Sequence, residues 1–233
     1  MPGCCSTFER TAEQQFNEKK AAEELTRYRK NGPGPTTRLL QDAIAQSGAM
    51  CGTLLDVGSG VGALTFGLLE RGITHAIAVD ASSAYLGAAR QEAERTGKAD
   101  AIQFVHADFV AIASQLPRAS VVALDRVVCC YPSFRPLLDA AISHAEQCFA
   151  LSYPRDAWYV RLGLALENGQ RRVSGNTFRT FVHPVADMEQ TITRAGFELS
   201  SRSKTWMWSV DVYLCPHRDR MATAAQRETV EEG

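Results

Sequence analysis

Three glycines at alternating positions follow an aspartate in Asp56-Val57-Gly58-Ser59-Gly60-Val61-Gly62. Lacking a Cβ, they let the backbone approach a ligand where any side chain would collide. Asp56 stands in an otherwise apolar run, Leu54-Leu55-Asp56-Val57, where a carboxylate costs desolvation unless something partners it. Asp80 closes a second apolar run about twenty residues past the glycine turn, as a carboxylate that takes ribose hydroxyls should. Asp108, with Phe109 beside it, follows a third run. This spacing points to a nucleoside-bearing cofactor. Gly58-x-Gly60-x-x-Ala63 also satisfies the loose dinucleotide fingerprint, so a nicotinamide cofactor stays open on the glycines alone. Asp80 and Asp108 are alternatively strand-end acids or helix caps.

The elements that must position these residues follow from periodicity. Phe8, Ala12, Phe16, Ala21, Leu25 and Tyr28 predict a polar helix over residues 8 to 29, stopped by Asn31-Gly32-Pro33-Gly34-Pro35. A second helix, capped by Thr36 or Thr37, carries Leu39, Leu40, Ala43 and Ile44. Short apolar runs at 53–57, 75–80, 102–106, 120–125 and 148–153 read as strands. Helices are expected between them at 63–71, 83–96, 109–115 and 137–145. Strands alternating with helices predict right-handed crossovers and a mostly parallel sheet. Residues 185–194 read as a further helix. The runs 197–202 and 206–214, joined by a short link, read as an antiparallel hairpin. The polar end of the chain reads as a frayed tail.

Composition narrows the partners. The 233 residues, 45% hydrophobic and 22% charged, are those of a globular protein with a substantial core. The net charge of −1 offers no basic field for nucleic acid. No apolar run approaches a membrane span, so no membrane partner is expected. The N-terminus has no secretory signal pattern. The seven cysteines, at 4, 5, 51, 129, 130, 148 and 215, have no C-x-x-C spacing and include two adjacent pairs. They read as reduced thiols in the cytoplasm, with no metal site.

With Gly62 the loop becomes D-x-G-x-G-x-G, and here the chain resembles the class I S-adenosylmethionine-dependent methyltransferases. The resemblance covers roughly residues 50 to 215. It implies a Rossmann-like α/β fold: seven strands, mostly parallel, helices on both faces, and a last antiparallel strand inserted between strands five and six. It also implies cofactor contacts from Asp56, Gly58, Ser59, Gly60 and Gly62 near the amino acid portion, Asp80 at the ribose, Asp108 and Phe109 at the adenine, and a cofactor contact from Ala81. Residues after the fourth strand, here Asp125-Arg126, often face the transferring methyl in this family; an internal ion pair is the equal alternative. Tyr28 and Arg29 lie where N-terminal residues close over the cofactor. Tyr28-Arg29-Lys30-Asn31-Gly32-Pro33, Leu124 to Pro132 and Tyr153 to Trp158 look like a group of small bacterial methyltransferases, some loosely labelled magnesium-protoporphyrin O-methyltransferase-like. That resemblance hints at a small-molecule acceptor.

Asp125, Tyr131 and His183 are the candidates for catalysis, His183 being the natural general base by its ordinary pKa. Arg155, Trp158, Arg161 and His183 fall in or after the fifth-strand loop, where acceptor contacts belong. Cys129-Cys130 reads as small apolar packing, with a soft-ligand role as the alternative. The expected organisation is a helical cap or lid at 1–50, a cofactor-binding domain at 51–216 and a tail at 217–233. The expected reaction moves a methyl group from S-adenosylmethionine to a small-molecule O, N or S acceptor, leaving S-adenosylhomocysteine. A nicotinamide-dependent oxidoreductase and a catalytically inactive binding protein are the alternatives. The sequence leaves the oligomeric state open.

Overall fold

A computed structural model describes residues 7–50 and 52–216. The expected tail at 217–233, together with Cys4, Cys5 and Cys51, lies outside the described residues. Three helices come first: α1 (Thr7–Gln15), α2 (Glu18–Asn31) and α3 (Pro35–Gln46). The expected single helix over 8–29 is therefore two. Asn17 breaks it by taking an extended backbone and accepting a hydrogen bond from the Lys20 amide, an N-cap that starts a new helix. Gly34 rather than Thr36 or Thr37 precedes α3, with Pro35 at its first turn, where its missing N–H costs nothing. That frees the Thr37 hydroxyl for another use.

The alternating region follows as β1 (Thr53–Val57), α4 (Ala63–Leu69), β2 (His75–Asp80), α5 (Ser83–Arg95), β3 (Ile102–His106), α6 (Phe109–Ile112), β4 (Ala119–Asp125), α7 (Phe134–His144) and β5 (Ala145–Pro154). Then come α8 (Trp158–Val173), α9 (Val185–Arg194), β6 (Glu198–Lys204) and β7 (Trp208–Leu214). The sequence reading had no helix at α8. It placed Trp158 and Arg161 in a loop, because apolar residues there occupy two helical faces and blur the amphipathic period.

The seven strands form one sheet in the order β3-β2-β1-β4-β5-β7-β6. β1 to β5 pair in parallel, while β7 runs antiparallel between β5 and β6. This is the expected Rossmann-like arrangement, hairpin included. Alternate strand residues feed two cores. Leu55, Val57, Val79, Leu124 and Phe149 face α7 and α9 through Leu137, Leu138, Met188 and Ile192. Leu54, Ala78, Ala123 and Ala150 face α3 and α4 through Leu40, Ile44, Phe66 and Leu68. α3 thus belongs to a core layer, whereas α1 and α2 lie nearer the carboxyl ends of the strands.

The hairpin is locked by a buried charge. Asp211 on β7 is 1% exposed and accepts from Arg202 Nε and Nη2, both at 2.8 Å, and from Tyr153 Oη at 2.8 Å. Removing the guanidinium leaves that carboxylate with hydroxyl donors only. Arg202→Ala should lower unfolding stability by about 3 kcal/mol, the low end for breaking a buried pair, since Arg202 is itself partly exposed. Urea denaturation with an unchanged m-value would read this; a loss under about 0.5 kcal/mol would show that the pair does not hold the hairpin.

Candidate active site at the carboxyl edge of the sheet

The carboxyl ends of β1, β2 and β4 lie side by side, where open α/β sheets bind ligands. The chain leaves β1 through the glycine turn, and Gly58, Gly60 and Gly62 all have positive φ (+69°, +57° and +82°). At Gly58 space adds to conformation: a Cβ would stand 2.4 Å from Val127 Cγ2. The Gly58 and Ser59 amides donate to the Val79 carbonyl at 2.7 and 3.1 Å, which pins the turn to β2.

Three aspartates converge here, each held by neutral donors. Asp56 is buried, and its Oδ2 accepts from Thr65 Oγ1 at 2.6 Å. Its Oδ1 and the Ser59 hydroxyl are the buried side-chain oxygens without a hydrogen-bond partner among the described residues. Burial pushes the Asp56 carboxyl up to about 7; the Thr65 bond opposes this and the charges of Asp125 and Asp80 add to it. Asp80 accepts from the Gly60 and Ser82 amides, each at 2.8 Å. Burial still pushes it up to about 6. Asp125 accepts from Thr37 Oγ1 at 2.5 Å and Ser152 Oγ at 2.6 Å.

Arg126 follows with φ +63°, the one non-glycine residue in that region among the described residues. The conformation costs roughly 1–2 kcal/mol. It is held by the Arg126 amide donating to Ser152 Oγ at 2.8 Å. The guanidinium sits 3.8 Å from Asp125 Oδ2 and 3.5 Å from Glu24 Oε1 of α2. Asp125-Arg126 is thus both a wall of the site and a loose ion pair.

These groups border a cavity of about 470 Å³. Its lining takes Gly58, Gly60, Asp80, Ala81 and Phe109 from the ends of β1 and β2 and the start of α6. Asp125, Arg126, Cys129, Cys130 and Tyr131 line it from the end of β4 onward, and Phe8, Phe16, Phe178, Met207 and Trp208 are among its apolar walls. A recess of about 40 Å³ shares Glu24, Gly58, Gly60, Asp125 and Arg126 with it and adds Thr37, Asp56 and Ser59. The cover is α1 and α2 on one side and α8 on the other. α1 is tied down where Ser82 Oγ donates to the Phe16 carbonyl at 2.6 Å and the Phe8 ring stacks on Tyr131 at 4.0 Å. Tyr85 Oη donates to Glu24 Oε2 at 2.9 Å and so ties α2 to α5.

Not every expected residue arrives. Tyr28 packs near Phe66, with ring centroids 6.1 Å apart, and lines neither the cavity nor the recess. Arg29 is held by Glu92 at 2.7 Å, so it is not the cation of the site; Arg126 is. His183 is buried away from the cavity, with Nε2 at 3.1 and 3.0 Å from the Val128 and Tyr131 carbonyls. Burial lowers its pKa, and its bonding atom holds the chain that carries Cys129 and Tyr131. His183 is thus a positioning residue. Gly62 caps α4. Asp108 caps α6 and accepts from Tyr131 Oη at 2.7 Å, standing behind Tyr131 rather than in the cavity wall. Burial and the Asp108 charge raise the Tyr131 phenol well above its ordinary value, so Tyr131 is a donor and not a base. Trp158 and Arg161 point to solvent, and Arg155 holds the turn between β6 and β7. Cys129 is buried and Cys130 partly so; both thiols lie 3.4–3.6 Å from the Arg126 carbonyl. Thr37, Glu24, Tyr85, Glu167 and Arg171 were missed. Of these only Thr37 carried a sequence hint, as a helix cap.

Residues 54–149 match the family model described as a methyltransferase domain. No curated protein matches the sequence significantly. Among solved structures, magnesium protoporphyrin IX methyltransferase from Synechocystis PCC 6803 with bound S-adenosylhomocysteine superposes with TM-score 0.68. It is 19% identical, over 89% of this chain and 99% of that one. An O-methyltransferase family protein from Burkholderia thailandensis gives 0.66 at 14% identity, over 87% and 62%. An O-methyltransferase family 2 protein from Planctomyces limnophilus in complex with apigenin gives 0.56 at 16% identity, over 79% and 63%. The fold is that of the class I methyltransferases.

The raised Asp56 carboxyl has a consequence for stability. Its ordinary value is 3.8 and its folded value about 7. The stabilisation from holding the proton is therefore complete below the ordinary value and is lost as pH rises through about 7. Asp56→Asn should flatten this dependence. Its melting temperature should fall less than wild type's between about pH 5 and about pH 8, in ligand-free protein. Parallel profiles by differential scanning fluorimetry would show that Asp56 is not the titrating group.

Proposed function

We propose that this chain, which has the class I fold and a methyltransferase domain, binds S-adenosylmethionine and methylates a small-molecule acceptor within the 470 Å³ cavity. The observation that carries the reading is the pair of buried, unpartnered oxygens on Asp56 and Ser59 beside the glycine turn. A buried polar atom left unpaired costs free energy, and a ligand carrying a polar, cationic end removes that cost. The donor set fits the cofactor. The recess, with Asp56, Ser59 and the Gly58–Gly60 backbone, would take the amino acid portion, and Arg126 would face its carboxylate. Asp80 would accept from the ribose hydroxyls, and Phe109 and Ala81 would border the adenine. Asp108 supports that end through Tyr131.

S-adenosylmethionine supplies a methyl group on a sulfonium that a nucleophile takes directly. The chain's own part is approach geometry and exclusion of water. Phe8, Phe16, Phe178 and Trp208 would seat a largely apolar acceptor, in keeping with the porphyrin and flavonoid named for the similar enzymes. Asp125 would face the reacting end of the cavity. Both its oxygens already accept hydroxyl protons, which suits electrostatic stabilisation of positive charge better than proton removal. Tyr131 would orient the acceptor as a donor and wall. Four described cysteines are free thiols, which supports a reducing, cytoplasmic setting as part of this proposal.

Isothermal titration should give S-adenosylmethionine binding at micromolar affinity and none for NAD⁺. Asp80→Asn should weaken it about tenfold or more, a loss of about 1.4 kcal/mol. Binding of NAD⁺ in its place, or equal affinity in the variant, would overturn the assignment. Binding without turnover across apolar hydroxyl, amine and thiol acceptors would favour the inactive binding protein.

A further inference from the structure

The geometry points to a second use of α8: its outward face is a docking surface for an anionic lipid bilayer. Trp158, Leu162, Leu166 and Val173 are between 53% and 92% exposed. At about 100° per residue they fall within about 80° of the helix circumference. Leu164, Glu167 and Arg171, on the opposite side, line the cavity. The cavity-facing side is mixed, Val160 and Leu164 beside the Glu167–Arg171 ion pair, whereas the outward stripe is apolar throughout. Packing within the chain does not account for that outward stripe.

Trp206 extends the outer stripe. It is 70% exposed at the turn between β6 and β7, and its carbonyl accepts from Tyr159 Oη at 2.7 Å and Arg155 Nη1 at 3.3 Å. These bonds fix the turn beside the start of α8. Soluble monomers scatter exposed apolar side chains singly, whereas here four line one helix face and a second tryptophan is exposed on the turn bonded to its first residues, a concentration that marks an interaction site.

The charges choose the occupant. Arg161 and Arg172 flank the stripe on one side of the helix, and Lys204 ends β6 next to the turn. Asp156 pairs with Arg161 at 2.5 Å and offsets one of these charges. An apolar stripe of tryptophan and leucine with arginines along its edge is the pattern of a helix lying in a membrane interface, where long cationic side chains reach the headgroups. No described helix is long and apolar enough to cross a bilayer, so the contact lies on the surface. One consequence rests on the function proposed above: α8 would separate the bilayer from the acceptor end of the cavity by one helix, so that an apolar acceptor passes between them without crossing bulk water.

The test is sedimentation of the full chain with phosphatidylcholine vesicles, with and without phosphatidylglycerol. Wild type should pellet with the anionic vesicles and release at high salt. Leu162→Glu/Leu166→Glu should partition at least about tenfold less, and Arg172→Glu should bind more weakly with a shallower salt dependence. S-adenosylmethionine affinity in the same samples reports folding and separates this proposal from the enzymatic one. Unchanged cofactor binding with lost vesicle binding supports the surface alone. Failure of wild type to pellet with anionic vesicles, or equal pelleting of the double variant, overturns it. So does sedimentation velocity that finds a dimer which the double variant dissociates.

Discussion

Three carboxylates crowded at the ends of parallel strands set the terms for the rest of the structure. Burial raises the cost of ionising Asp56 and Asp80, and at Asp56 the charges of Asp125 and Asp80 add to it. The chain answers with neutral donors: the Thr65, Thr37 and Ser152 hydroxyls and the Gly60 and Ser82 amides. Neutral donors stabilise each charge without cancelling it. The lining stays rich in carboxylates in a low-dielectric setting, with the half-exposed Arg126 beside them and Arg171 paired to Glu167 in the cavity wall. Such a site suits a ligand with a sulfonium and an ammonium more than one with a pyrophosphate. A pyrophosphate-binding loop of the same glycine pattern leaves its amides to phosphate oxygens, whereas here the Gly60 amide is already given to Asp80.

Enclosure is the second requirement, and it comes from segments outside the alternating region. α1 reaches over the strand ends through Phe8 and Phe16, and Asn176 Nδ2 donates to Gln15 Oε1 at 2.7 Å across 161 residues of sequence. Arg171, ion-paired to Glu167 and hydrogen-bonded to Thr180 Oγ1 at 2.7 Å, fixes the chain after α8 against the same wall. The α1 region and the segment after α8 thus meet over the carboxyl edge of the sheet. This wall of the cavity is shaped by residues that the glycine and aspartate motifs do not govern, and so the glycine loop says little about what else the cavity accepts.

The strands and their closing aspartates were legible because each rests on local pattern: a run of apolar residues, then a glycine or a helix cap. The hairpin was legible from its short link. What escaped was decided by partners far away in sequence. Thr37 reads locally as a helix cap, yet its partner Asp125 lies 88 residues on. Tyr28 and His183 each have the right chemistry, but neighbours at Phe66 and at the Val128 and Tyr131 carbonyls claim them first. The break at Asn17 was hidden by apolar spacing that continues through it at helical period, although Asn is a favoured cap. α8 was missed because periodicity presumes one buried face, and this helix has apolar residues on both.

Several local choices run against stability and agree with one another only as parts of a site. A left-handed arginine, a buried aspartate with an unpaired oxygen and a serine hydroxyl without a partner each carry a cost that packing elsewhere must offset. Asp56 stands near the end of β1, Ser59 in the turn after it and Arg126 just after β4, and all three border the recess. In the rest of the described core, buried side-chain oxygens and nitrogens have partners. Random drift would scatter such defects through the core. Their confinement to one recess is what a ligand that completes their bonding requires. It also means that ligand-free protein should be less stable than liganded protein by more than the bound surface alone accounts for, since binding relieves costs already present in the fold.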